Sequence, residues 1–363
     1  MAKTRKQQKP PAEVVYAKEL AQLRKEDSDP RPKGWTLSPR SVRSFVLGDE
    51  SRGISSKFVG NPSLVDRSMV ALATNRGLIL VGEPGTAKSM LSELICAAIC
   101  GDSTLTIQGG AATTEDQIKY SWNYAMLLAE GPSTKSLVPA PLYRGMTEGK
   151  LVRFEEITRC PQEVQDSLLS ILSDRVMAIP ELEGPDGMLF ATEGFNLIAT
   201  SNTRDRGVNE MSAALKRRLN FETVFPIPDF DTELNLVKSQ TKRLLEEAGV
   251  PKVPAPDLLE VLVTTFRELR TGQSIEGKSM EKLSTVMSTA EAVSVGFSMG
   301  VKGYFMGQGD ATAEDLVECI AGAAVKDDLE DMKRLRRYLE QRVSKRKGAA
   351  WQALYRARTK LPG

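Results

Sequence analysis

Between Phe58 and about Pro228 the chain alternates short apolar runs with amphipathic stretches. Leu78-Ile79-Leu80-Val81 predicts a strand. Ser89–Ile99 predicts the helix after it, with Leu91, Leu94, Ile95, Ala98 and Ile99 on one face. Leu105–Ile107 reads as a second strand, Leu151–Phe154 as a third followed by a helix over Gln162–Leu172, and Phe195–Thr200 as a fourth. Strands separated by helices at this spacing imply a parallel, doubly wound α/β sheet. Val176–Ile179, the turn-like Gly184-Pro185-Asp186-Gly187 and Met188-Leu189-Phe190 predict a β-hairpin projecting from that sheet, with a plain surface excursion as the alternative.

After Pro226-Ile227-Pro228-Asp229 the period changes to that of helices, over Glu233–Ala248, Pro256–Leu269, Met280–Val295, Ala313–Lys326 and Leu329–Arg346. In the second of these, Leu258, Leu259, Leu262, Val263, Phe266 and Leu269 share one face. The pattern divides the chain into four parts: a flexible basic arm over 1–34 with a short helix over Ala12–Lys25, an α/β domain over 35–228, a smaller all-α domain over 229–328, and a basic helical tail over 329–363. Trp35–Gly48 carries enough apolar residues to pack onto the α/β body. In the tail, Leu329, Met332, Leu335 and Leu339 give an apolar stripe at helix spacing, so its Lys and Arg residues read first as a wet helix face and second as a docking site.

Gly82-Glu83-Pro84-Gly85-Thr86-Ala87-Lys88-Ser89 stands between the first strand and its helix, the context a phosphate-binding loop requires. There the backbone N–H groups would cradle phosphates and the helix N-terminus would add partial positive charge. Lys88 would reach the β- and γ-phosphates of ATP, and the Ser89 hydroxyl would hold Mg²⁺. Ala87 occupies the position of the strict motif's last glycine, which costs backbone freedom rather than space.

Such a loop needs an acid at the end of a neighbouring strand. Leu151–Phe154 leads into Glu155-Glu156, of which Glu155 would hold the metal through water and Glu156 would polarise the attacking water. The first acid is usually Asp, and Glu155 is one methylene longer. Asn202 falls at the C-terminal end of the fourth strand, where open α/β sheets place their ligands, and could orient that water. Ala214–Phe221 reads as a helix bearing Arg217 and Arg218, either of which could reach the phosphate of a neighbouring subunit.

Composition narrows the chemistry further. The 363 residues include 49 Lys+Arg, 47 Asp+Glu and no histidine. The missing imidazole excludes Ser-His-Asp and Cys-His nucleophile pairs, a histidine base, and His-ligated zinc or haem. A net charge of +2 supplies no global field that would dictate a nucleic-acid or membrane partner. Cys96, Cys100, Cys160 and Cys319 form no CxxC pair and read as reduced, mostly buried thiols. The polar, basic start lacks an apolar run like that of a signal peptide, and no stretch reaches the roughly 18–20 apolar residues of a membrane span, so a cytoplasmic location is expected.

Taken together, the phosphate loop, acidic pair, terminal Asn, arginine pair and following helical domain resemble the AAA+ ATPases, and within them the MoxR-type branch related to the magnesium chelatase ATPase subunit. The likeness covers roughly residues 40–325. It implies an α/β P-loop core followed by an α-helical lid. Gly82–Ser89 resembles Walker A, Phe154-Glu155-Glu156 Walker B, Asn202 sensor 1, and Arg218, with Arg217 beside it, the arginine finger. Phe58-Val59-Gly60-Asn61 is similar to the segment lining the adenine pocket, which makes Val59 and Gly60 candidate contacts. The predicted hairpin sits where this branch carries one in the pore of its ring. Sensor 2 is the departure: Glu276–Lys282 offers Lys278 or Lys282, a point charge without arginine's fork.

The resemblance therefore implies a Mg²⁺-dependent ATPase that assembles into a homo-hexameric ring and acts as a chaperone, remodelling or activating a client or adaptor that carries a von Willebrand factor A domain. A nucleic-acid-dependent motor is the second reading, motivated by the basic ends. A nucleotide-gated interaction protein with little turnover is the third, and a small-molecule kinase is a weaker fourth.

Overall fold

The structure is a computed structural model that describes residues 7–202, 209–324, 326 and 328–362. Lys3, Arg5 and Lys6 of the basic start lie outside the described residues. The chain separates into two compact units: residues 1–82 with 87–224, and residues 225–363 with the short segment 83–86.

The first unit holds the strands β1 (Gly77–Gly82), β2 (Thr106–Gln108), β3 (Tyr120–Trp122), β4 (Leu137–Pro139), β5 (Leu151–Glu155), β6 (Val176–Ala178), β7 (Met188–Phe190), β8 (Asn196–Asn202) and β9 (Leu219–Val224). Five of them make one sheet of order β2-β5-β8-β1-β9, and every pairing in it is parallel. The pleat splits each apolar run between two cores. Leu78 and Leu80 of β1 pack with Leu91, Leu94 and Ile95 of the Lys88–Cys100 helix, whereas Ile79 faces Phe154, Leu168, Leu197 and Leu215 on the other side. That is why the runs read as continuous apolar strings: both faces are covered.

The expected hairpin forms, β6 against β7 with Val176 opposite Phe190. A second one, β3 against β4, was not legible in the sequence. It carries the Tyr124–Glu130 helix between its strands, with Tyr124 and Leu128 exposed.

Two expectations change here. Ala214–Phe221 is not one helix: the helix ends at Lys216, Arg217 caps it, and Leu219–Val224 becomes β9 at the sheet edge, where Leu219, Glu222 and Val224 are buried. The N-terminal arm is also packed rather than loose from Ala12 onward. Leu20 and Leu23 of the Ala17–Glu26 helix enter the core beside Phe45 and Ile99. Glu13 accepts from the Ser103 amide and hydroxyl (3.2 and 2.7 Å), and Lys57 inserts between Glu19 (2.5 Å) and the Phe45 ring.

The second unit is helical: Phe230–Glu247, Pro256–Thr271, Thr289–Phe305, Ala313–Ala324, Leu329–Gln341 and Ala349–Ala357. One core runs from Leu234 through Phe266, Met299 and Leu339 to Leu354 and Leu361, so the basic tail belongs to the same body as the helices before it. The helix expected from Met280 starts instead at Thr289, where Ser288 and Glu291 form a reciprocal capping box. Residues before it are held otherwise. Buried Asp331 accepts from the Ser284 amide and hydroxyl (2.9 and 2.7 Å), the Thr285 amide and hydroxyl (3.0 and 3.1 Å) and Arg334 (2.7 Å).

Burial alone would raise the Asp331 pKa, but the Ser284 and Thr285 donors outweigh it and hold the carboxyl at about 2, below its ordinary 3.8. The folded value is the lower one, so its stabilisation is complete above about pH 4 and drains away as pH falls toward 2. Asp331→Asn is expected to cost about 2 kcal/mol at neutral pH and to flatten the loss of stability between pH 4 and 2. Urea unfolding of both proteins across that range checks it.

Candidate functional site

The C-terminal ends of β1, β5 and β8 lie side by side, with Gly82 opposite Asn202 in the β1–β8 register. The chain leaves β1 through Gly82–Ser89, a turn with Gly85 at φ +76° and Ala87 at φ +65°, and enters the Lys88–Cys100 helix. Ala87 thus sits in the left-handed region that glycine adopts freely, at a cost of roughly 1 kcal/mol. The Thr86 hydroxyl donates to the Glu83 carbonyl (2.9 Å) and tightens the turn. Lys88 is only 6% exposed, and its ammonium donates to the Gly82 carbonyl at 3.0 Å, so the chain folds the cation back over the loop.

Glu155 ends β5 and is 5% exposed. Its carboxylate accepts from Ser89 (2.6 Å) and Thr200 (2.7 Å) on Oε2, and from Ser92 (2.8 Å) and Arg153 (2.8 Å) on Oε1. Burial would raise its pKa, but the Ser89 hydrogen bond, the Arg153 charge and the other hydroxyls outweigh that and hold the group ionised, below the usual carboxylate range. A hydroxyl and an anionic carboxylate 2.6 Å apart form an oxygen donor set suited to a hard cation such as Mg²⁺. Both carboxylate oxygens are already engaged, which fits a cation reached through water, with Ser89 turning its lone pair toward it. Among the described residues no group of three or more acidic or Cys side chains is placed to cage a metal, so phosphate and water oxygens would complete any shell.

Glu156 follows in a left-handed conformation, φ +54°, which a non-glycine residue adopts at some cost. Two contacts hold it there. Its amide donates to the Thr200 hydroxyl (3.0 Å), and its carbonyl lies where a Cβ on Gly109 would come within 2.4 Å, so only glycine fits at 109. Arg159 pairs with the Glu156 carboxylate at 2.7 Å. Asn202 closes β8 on the same rim.

The remaining candidates are more dispersed. Phe58 is buried in the first core and its amide donates to Val46 (3.0 Å). Val59 is half-buried and Gly60 exposed, with the Phe58 ring where a Gly60 side chain would be. Arg218 is half-buried and bonds the Ser173 hydroxyl and the Ala214 carbonyl (2.7 Å for the latter), whereas Arg217 is exposed. Lys282 is exposed in the non-helical stretch before Thr289, its stem against Gly272.

Sequence reasoning missed Thr200, Ser92, Arg153 and Arg159. Of these only Arg153 left a signal, as a lone charge inside an otherwise apolar strand.

Residues 77–219 match the AAA domain (dynein-related subfamily), and residues 231–362 match the YehL-like AAA+ ATPase C-terminal domain. The chain is 61% identical to the uncharacterized protein YehL of Escherichia coli (strain K12) over 98% of both chains. It is 24% identical to the uncharacterized protein SAOUHSC_01413 of Staphylococcus aureus (strain NCTC 8325 / PS 47) over 58% of this chain and 74% of that one. The fold resembles NtrX from Brucella abortus in complex with ADP, at a TM-score of 0.51 and 14% identity over 83% of this chain and 64% of that one. NtrX in complex with ATP gives 0.50 at 15% identity, over 82% of this chain and 63% of that one. The chain thus spans under two thirds of those solved chains.

Proposed function

We propose that this chain, which belongs to the AAA+ ATPases with a YehL-like C-terminal domain, binds ATP with Mg²⁺ and hydrolyses its terminal phosphoanhydride. The observation that carries the reading is Ser89 hydrogen-bonded to the buried, ionised Glu155 one residue beyond Lys88. The NtrX structures with ADP and ATP lend it support at the level of the fold.

In this reading the loop amides of 83–89 bind the phosphates, and Lys88 swings from the Gly82 carbonyl to the β- and γ-phosphates. Mg²⁺, when bound by Ser89 and through water by Glu155, would offset charge on those phosphates. Glu156 takes the proton of the attacking water, and Asn202 orients that water from the adjacent strand. Arg218, with Arg217 beside it, acts on the phosphate held by a neighbouring subunit, which makes turnover depend on self-assembly into a ring. Val59 and Gly60 contact the adenine, and Lys282 stands for sensor 2.

We place the protein in the MoxR-type branch, as a cytoplasmic chaperone that remodels a client or adaptor with a von Willebrand factor A domain. Among the described residues no helix is long and apolar enough to cross a membrane. Several tail cations are paired within the helical unit, as Arg334 with Asp331, Arg337 with Glu281 and Arg346 with Glu268, which favours this reading over a nucleic-acid motor. The Glu156–Arg159 pair favours slow basal turnover, released when a partner or neighbour draws the two apart.

Phosphate release from ATP by the purified chain tests the proposal. It should require Mg²⁺, stop in chelator, and rise with protein concentration as subunits assemble. ATP turnover at background under all those conditions would refute it.

A further inference from the structure

Arg153 is out of place by composition. It lies on an interior strand of the parallel sheet, with β2 on one side and β8 on the other, and is 9% exposed. Desolvating a guanidinium costs several kcal/mol unless its donors are met. Here they are met by one compact set of acceptors: Nε donates to the Ser92 hydroxyl (3.0 Å), Nη1 to the Ser103 carbonyl (3.2 Å), and Nη2 to the Ser89 carbonyl (3.0 Å) and Glu155 Oε1 (2.8 Å). Strand period two puts Arg153 and Glu155 on one face, that of the Lys88–Cys100 helix. Ser92, one turn along from Ser89, joins them: its hydroxyl donates to the same Oε1 (2.8 Å) and lies 2.9 Å from the Ser89 carbonyl.

A glutamate has one more rotatable bond than an aspartate, so an acid of this length needs an added restraint to present one oxygen in one direction. Arg153 and Ser92 occupy Oε1. Oε2 is left toward the Ser89 hydroxyl and Thr200.

We propose that Arg153 is the positioning residue for the metal-side acid: it locks Glu155 so that Oε2 faces Ser89, and it anchors the first turn of the phosphate-loop helix to the same carboxylate. The planar fork matters, because separate nitrogens reach the Ser92 hydroxyl, the Ser103 carbonyl and the carboxylate at once, which the single ammonium of a lysine cannot do. Arg153 does not meet nucleotide. Its effect falls chiefly on how well the site takes up Mg²⁺ with the nucleotide. The inference rests on the nucleotide and metal reading above.

The test is binding, not turnover. A fluorescent ATP analogue is titrated onto the full chain at rising Mg²⁺, and once in chelator. For the native chain, failure of Mg²⁺ to strengthen binding would remove the underlying reading itself. Given that strengthening, Arg153→Met should raise the half-saturating Mg²⁺ about tenfold and weaken binding in chelator by a clearly smaller factor. Arg153→Lys should fall between. In a Glu155→Gln background, Arg153→Met should add nothing further, since the oxygen it holds is no longer anionic. Equal losses with and without metal, or full additivity with Glu155→Gln, would overturn the proposal and leave Arg153 as a packing residue. Should Arg153→Met not fold, Arg153→Lys decides by the same titration, with an unchanged Mg²⁺ midpoint counting against.

Discussion

Glu156→Gln is expected to bind ATP about as tightly as the native chain and to hydrolyse it at least about a hundredfold more slowly. Glutamine keeps the volume and the left-handed backbone at φ +54°, because the restraints on that conformation are the Thr200 hydroxyl and Gly109, not the carboxylate. It cannot take a proton from water. The substitution also removes the charge that Arg159 pairs with, so a purely structural fault would show as altered nucleotide affinity as well as slower turnover. Single-turnover phosphate release, with nucleotide retained through gel filtration, separates the two. Undiminished hydrolysis would exclude Glu156 as the base. If ATP stays bound, the same variant serves as a trap for whatever the protein engages, and a co-purifying protein with a von Willebrand factor A domain would support the chaperone reading.

Lys88→Ala should reduce affinity for ATP by about ten- to a hundredfold, the size of one or two charge-assisted hydrogen bonds, and bring turnover to background. The lysine is buried and rests on the Gly82 carbonyl at 3.0 Å. Removing it deletes the one ammonium on the phosphate loop while leaving the loop's glycines and the helix cap as they are. Unfolding temperature should therefore move little in the absence of nucleotide, while the rise in that temperature produced by a fixed ATP concentration should shrink. Retained ATP binding and turnover in this variant would break the link between Gly82–Ser89 and phosphate.

Much of this site was legible before any fold was known, because its signals are local. A phosphate loop is contiguous, the acid pair ends an apolar run, and Asn202 ends another. The alternation of Leu78, Ile79 and Leu80 between two cores is likewise a period carried by neighbouring residues. Where a signal depended on a distant partner, the reading slipped. Residues 280–287 looked helical by spacing, yet Asp331, far along the chain, takes the Ser284 and Thr285 amides that a helix would have used. Leu219–Val224 could join a helix on its own pattern, but pairing with β1 makes it a strand. The Ala17–Glu26 helix is polar enough to read as part of a loose arm, and only the core beneath Leu20 and Leu23 fixes it.

The family resemblance and the candidacy of Lys88, Ser89, Glu155 and Glu156 followed from sequence alone, since short-range periodicity and a contiguous motif need no partner to be read. The tertiary structure decided how that chemistry is held. It brought Arg153, Ser92 and Thr200 onto one carboxylate, set Glu156 in a strained turn against Gly109, and joined the basic tail to the helical core. The physical reason is that burial and hydrogen-bond partnership are properties of pairs far apart in the chain, and a charge inside an apolar strand becomes intelligible only when its acceptors are in place.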